Sequence, residues 1–144
     1  MKRIIAILIL ALSLGSGLEN SLGGGLLSAQ ETGYEVFAPI AKYITKGDAA
    51  ALSAWFAPDL EVTVLNTTRN CSKTQARQIV KTFFESYTPN TFTITHKASQ
   101  GNMKYAIGRL SAGGEVFDVT IFVSRSGDTF QIQQLKIDRQ TAVY

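Results

Sequence analysis

The sequence predicts an α+β domain in which three helices pack on a bent, mostly antiparallel sheet to form a cone. Two observations carry this reading. Residues 91–137 read as four successive strands joined by turns at residues 99–102, Gly113-Gly114 and residues 126–128. Three helical segments and one short strand precede them. A twisted sheet drawn from one stretch of chain must cover an apolar face, and the helices before it are the apolar material available.

The elements follow in order. Phe37, Ile40, Ala41 and Ile44 recur at helical spacing, which predicts a first helix over residues 34–46, stopped by Gly47. Asp48 is an N-cap for a second helix over residues 49–56, with Leu52, Trp55 and Phe56 turned inward and Pro58 as its end. Leu60, Val62 and Val64 alternate with Glu61 and Thr63, a half-buried strand. Residues 66–70 read as a polar loop. Ser72 and Gln75 form a capping box that opens the third helix. Its apolar side, Ala76, Ile79, Val80, Phe83, Phe84 and Tyr87, keeps helical period until Thr88-Pro89-Asn90.

A two-residue turn at Gly113-Gly114 sets the central hairpin so that Arg109 faces Asp118, Tyr105 faces Phe122 and Leu110 faces Phe117. Carrying this alternation outward sorts the sheet into two faces. Ala106, Leu110, Phe117, Val119, Ile121, Val123, Phe130 and Ile132 form the face expected under the helices. The other holds Phe92, Ile94, His96, Met103, Tyr105, Ile107, Arg109, Asp118, Thr120 and Phe122. Leu135 and Ile137 fall out of phase with Phe130 and Ile132, so a bulge at Gln133-Gln134 is expected to return all four to one face.

The first residues read as an export signal. Lys2 and Arg3 precede an apolar run over residues 4–14, far shorter than the ~20 residues of a membrane span. A small-residue stretch follows, and cleavage is expected after Ala29, or earlier near Gly17. The expected division is thus residues 1–29 as signal and residues 30–144 as one domain, exported to the periplasm or medium, with no stable membrane anchor after cleavage. Cleavage after Ala29 removes two cations and one acid, lowering the formal charge by one from +3. So small a balance argues against a nucleic-acid partner. One cysteine and one histidine exclude an internal disulfide, a thiolate metal centre and a multi-histidine site, and no cofactor is implied.

The order helix, helix, strand, helix, then four strands with a bulged last one, resembles the nuclear-transport-factor-2-like superfamily. Pro39-Ile40-Ala41, Gly47-Asp48-Ala49, Cys71-Ser72-Lys73, His96-Lys97 and the run from Ile132 to Ile137 resemble one secreted family within it, domain of unknown function family 4783, found mainly in Bacteroidota. The resemblance implies an extracytoplasmic protein without an assigned activity and carries no catalytic residue across. Superfamily members include isomerases, dehydratases, polyketide cyclases and non-enzymatic binders, so the fold does not select among them.

His96, Tyr105, Arg109, Asp118 and Phe122 are the candidate ligand or interface residues, because the predicted register puts them on one sheet face. As chemistry, Asp118 or His96 would move a proton while Tyr105 or Arg109 held an anion. As architecture, Arg109 and Asp118 are a cross-strand ion pair and the rings are packing. Cys71 stands just before the third helix, yet no base accompanies it in sequence. Lys73, Arg77 and Lys81, with Arg69 upstream, recur at four-residue spacing as a basic stripe or a solvated helix side. The expected function is a non-catalytic ligand-binding or assembly module, homodimeric through the second sheet face, with an unidentified small molecule or protein as partner. The alternative is a small-molecule isomerase or lyase working in the cone cavity.

Overall fold

The computed structural model describes residues 33–140. The expected signal and its cleavage site lie outside them. Among the described residues, α1 (Phe37–Lys46), α2 (Ala49–Ser53) and α3 (Lys73–Ser86) accompany one sheet of β1 (Phe56–Val64), β2 (Thr67–Ser72), β3 (Pro89–Gln100), β4 (Met103–Ala112), β5 (Glu115–Ser126) and β6 (Thr129–Arg139). The sheet order is β2-β1-β6-β5-β4-β3, antiparallel except where β1 runs parallel to β6.

The helix boundaries have local causes. Gly47 ends α1 in the left-handed conformation at φ 67°, where its N–H donates to the Ile44 carbonyl. The Asp48 carboxylate accepts from the Ala51 N–H at 3.0 Å and starts α2. At α3 the capping box closes both ways: Gln75 N–H donates to Ser72 Oγ at 3.2 Å, and Ser72 N–H donates to Gln75 Oε1 at 3.0 Å.

The central hairpin has the predicted register, with Arg109 opposite Asp118, Tyr105 opposite Phe122 and Leu110 opposite Phe117. Gly113 and Gly114 both take positive φ, 59° and 82°, as a two-residue turn between right-twisted strands requires. The β6 bulge is also present. Phe122 pairs with Gln134 and Val123 with Ile132, which leaves Gln133 as the extra residue. Ile132, Leu135 and Ile137 consequently share the buried face, each at most 2% exposed.

Three expectations need correction. The second helix ends at Ser53, and Phe56 to Asp59 open β1 instead of closing the helix. Trp55 lies between the two elements, half-buried, its carbonyl accepting from the Ile132 N–H at 2.6 Å. Pro58 is tolerated there because β1 makes no paired contact with β2 before Asp59 and shifts register against β6 between Phe56 and Glu61. Second, residues 67–72 are an edge strand, β2, not a loop. Leu65 and Asn66 supply the hairpin turn at φ 51° and 71° without any glycine.

The third correction concerns the faces. β3 carries a bulge at Thr95, so that Ile94 pairs with Gly108 but His96 pairs with Ile107. Phe92 and Ile94 therefore lie on the helix side with Leu110 and Phe117, while His96 keeps the opposite face. Gly108 is the sign of this arrangement. A Cβ there would meet the Phe92 ring at 2.5 Å, so the absent side chain is the space that the ring occupies.

Between helices and sheet the interior is filled. Phe37, Ile40, Leu52, Phe56, Phe83, Phe84 and Phe117 are each at most 6% exposed. Phe83, Tyr87 and Phe117 stack with centroids 5.1–5.2 Å apart, two of the contacts edge-on. Among the described residues the buried polar side chains are Ser53 and Thr63. Both are satisfied, Ser53 Oγ donating to the Ala50 carbonyl at 2.7 Å and Thr63 Oγ1 bonding Thr68 Oγ1 at 2.8 Å.

Candidate functional site

The five candidate residues fall into three rows across the face that the helices leave open. Along one row stand Thr93, Arg109, Asp118 and Asp138. The next holds His96, Ile107, Thr120 and Lys136, and the third holds Ala98, Tyr105, Phe122 and Gln134. Tyr105 and Phe122 are in ring contact at 5.4 Å. Ile107 lies beside them, and all three are half-buried. Met103 at 48% and Val116 at 39% exposure extend the apolar surface towards its two ends.

Charged side chains flank this patch. Arg109 and Asp118 are register partners, yet they make no ion pair with each other; the ion pairs among the described residues are Lys136–Asp138 at 3.8 Å and Arg139–Glu115 at 2.8 Å. Asp118 instead lies between Arg109 and Asp138, a like charge directly opposite it. Asp138 is held by the Asn66 N–H at 2.8 Å. His96 stands two strands from Asp118, about 10 Å by strand spacing, beyond the reach of direct proton transfer between them. Glu61 and Gln134 close the β1 side of the face with a 3.3 Å hydrogen bond.

Sequence reasoning missed Gln134, Lys136, Asp138 and Glu61 as members of this face. The β6 bulge, which was readable, determines that Gln134 and not Gln133 points there. The parallel pairing of β1 with β6, which brings in Glu61, had no local signal.

The other concavities differ in kind. An apolar groove of about 340 Å³ is lined by Val64, Leu65, Ile79, Phe83 and Tyr87. At its edge Arg139 donates to Tyr87 Oη at 2.8 Å and also to Glu115, which raises the arginine pKa further. A larger open depression of about 620 Å³ runs past Asp59, Glu61, Cys71 and Gln75. Burial pushes the Cys71 thiol up from its ordinary pKa, with the Arg69 charge only partly opposing it. A protonated, buried thiol is a poor nucleophile. Among the described residues, no group of three or more His, Cys, Asp or Glu could hold a metal ion.

The family model described as Domain of unknown function (DUF4783) matches residues 37–138. The chain belongs to this family. Among solved structures it is similar to a DUF4783 protein from Bacteroides ovatus, at 20% identity and TM-score 0.70 over 73% of this chain and 96% of that one. A DUF4783 protein from Bacteroides uniformis is similar at 18% identity and TM-score 0.69, over 72% of this chain and 96% of that one. A protein of the nuclear-transport-factor-2-like family from Streptomyces avermitilis shares the fold at 10% identity and TM-score 0.59, over 82% and 99%. At such identities these structures establish the fold alone. No curated protein matches the chain.

Proposed function

We propose that this DUF4783 protein is an exported, non-catalytic binding or assembly module, and that it forms a homodimer through the open face of its sheet. The observation that carries the reading is the division of its apolar material. The cone interior is occupied by aromatic and aliphatic side chains, with no acid or base buried among the described residues. Tyr105, Ile107 and Phe122 meanwhile form a contiguous apolar surface on the side away from the helices. Isomerase or lyase chemistry in the cone would need room for a substrate beside an ionisable group, and Phe37, Phe56, Phe83 and Phe117 take that room.

The face also suits a copy of itself. Its apolar centre is flanked by Arg109 on one strand and by Asp118 and Asp138 on the next two. A two-fold axis in the interface, parallel to the strands and between β4 and β5, sets each Arg109 against Asp118 of the other copy, and that contact occurs twice. Export rests on the basic start, the short apolar run and the small residues after it. Sedimentation equilibrium of the protein at micromolar concentration tests the reading: it should return twice the chain mass, and a monomer mass at all concentrations contradicts it.

A further inference from the structure

We propose that the apolar groove between α3 and the end of β1 is the docking site of this chain's own residues 141–144, Thr-Ala-Val-Tyr. The groove lies on the helix side of the molecule, away from the open sheet face, and the inference stands independently of the dimer.

The first observation is the chemistry of the lining. Val64, Leu65, Ile79 and Tyr87 are half-buried in it, so each keeps apolar surface in water. Along the α3 side, Gln78, Thr82 and Ser86 repeat every four residues, all exposed and all uncharged. No acid or base lines the groove, and Arg139 at its edge is already held by Tyr87 and Glu115. A charged side chain entering it would lose hydration and meet no opposite charge, whereas an apolar one gains burial.

The second observation is where β6 delivers the chain. Ile137 pairs with Val64, and its carbonyl accepts from the Leu65 N–H at 2.9 Å. Two residues on, the Arg139 guanidinium donates to Tyr87 Oη at 2.8 Å. The chain thus passes the Leu65 and Tyr87 ends of the groove just before residue 141. Gln140 extends the sheet by one hydrogen bond, its N–H donating to the Val116 carbonyl at 3.0 Å. Beyond it the ladder runs out: β1 has ended at Val64, and β5 has only Glu115 left before the glycine turn. The chain must therefore leave the sheet here. The open face beside this point carries Arg109, Asp118 and Asp138 around Val116, and the uncharged groove lies on the other side.

Composition and reach select this segment as the occupant. Residues 141–144 carry no side-chain charge, and Val143 and Tyr144 supply the apolar bulk. A tyrosine suits the site, because its ring can lie on Leu65 and Ile79 while its hydroxyl meets the amide and hydroxyls of Gln78 and Thr82. Four extended residues span about 13 Å. The α3 side from Gln78 to Ser86 is eight residues long, about 12 Å, so a segment entering at the Tyr87 end can reach Ile79. Tethered beside the groove, it competes at an effective concentration on the order of millimolar, well above that of a second copy or a free peptide in dilute solution.

The experiment is methyl NMR of the protein beside a variant lacking residues 141–144, with Val143→Ser plus Tyr144→Ser as the milder variant. In wild type the Tyr144 ring should show nuclear Overhauser contacts with the methyls of Ile79 and Leu65. Both variants should shift those methyls and leave the Ile107 methyls, on the open face, in place. A peptide of residues 138–144 should restore the shifts in the deletion variant and bind wild type at least about tenfold more weakly, because the tethered segment competes with it. Ile79→Ala and Tyr144→Ala together should lower the urea midpoint by less than the sum of their separate effects, as side chains in contact require. Unmoved Ile79 and Leu65 methyls, or strictly additive midpoints, would overturn the proposal. So would a peptide that binds both proteins equally, which would mean an open groove. Overhauser contacts found only between differently labelled copies would put a second chain's segment there and overturn it as well.

Discussion

Gly108→Ala tests the packing of the sheet most sharply. Gly108 is buried on the helix face of β4, and a Cβ there would lie 2.5 Å from two carbons of the Phe92 ring and 2.9 Å from the Thr93 carbonyl oxygen. The ring could swing aside, but the carbonyl belongs to the β3 backbone and moves only with the strand. Overpacking of this kind costs about 1–3 kcal/mol. Alanine also removes unfolded-chain freedom, which favours the variant by about 0.5–1 kcal/mol. The net expectation is a loss of about 1–2 kcal/mol, or roughly 5–10 °C in melting temperature for a domain of this size. Urea denaturation should show a lower midpoint at unchanged slope. Combining it with Phe92→Leu should recover at least about 0.5 kcal/mol relative to additivity, because the ring is part of the clash. If Thr95 were not bulged, Phe92 would point to the other face and Gly108→Ala would be neutral or stabilising. That result would refute the face assignment of β3.

Two further outcomes follow from single residues. Gly47→Ala should cost about 1–2 kcal/mol in the same urea assay, since φ is 67° and the added Cβ meets the Pro89 ring at 3.1 Å. Burial holds the Cys71 proton in the folded chain above the thiol's ordinary value of 9.0, so the contribution is intact below that pH and lost as pH rises past it, where the unfolded chain ionises first. Wild type should therefore lose more stability than Cys71→Ala between about pH 8 and pH 10, and iodoacetamide should label the folded thiol more slowly than the urea-unfolded one.

The legible parts of this fold were those where one residue type has one use. Two adjacent glycines fixed the β4–β5 register because that turn demands positive φ twice. The β6 bulge showed itself because apolar residues stand on both sides of it, and the change of phase could be counted. The β3 bulge had no such signal. After Ile94 the strand reads Thr-His-Lys-Ala-Ser, with no large apolar residue to report the new phase. Strand β2 was hidden for a related reason: it is an edge strand of polar residues, entered through Leu65 and Asn66 rather than a glycine turn. The candidate face was readable on β4 and β5, where register and alternation suffice. Its β6 and β1 margin depended on a parallel pairing between strands some seventy residues apart, which no local pattern announces.

The central claim, that the open sheet face joins two copies of the chain, is tested most directly by Phe122→Lys. Phe122 stands at the middle of the face in contact with Tyr105, so a two-fold interface would receive the new charge twice with no partner for it. Sedimentation and circular dichroism of wild type and variant should show a dimer converted to a folded monomer. A monomeric wild type whose Phe122→Lys variant fails to fold would contradict the account, because the face would then belong to the core.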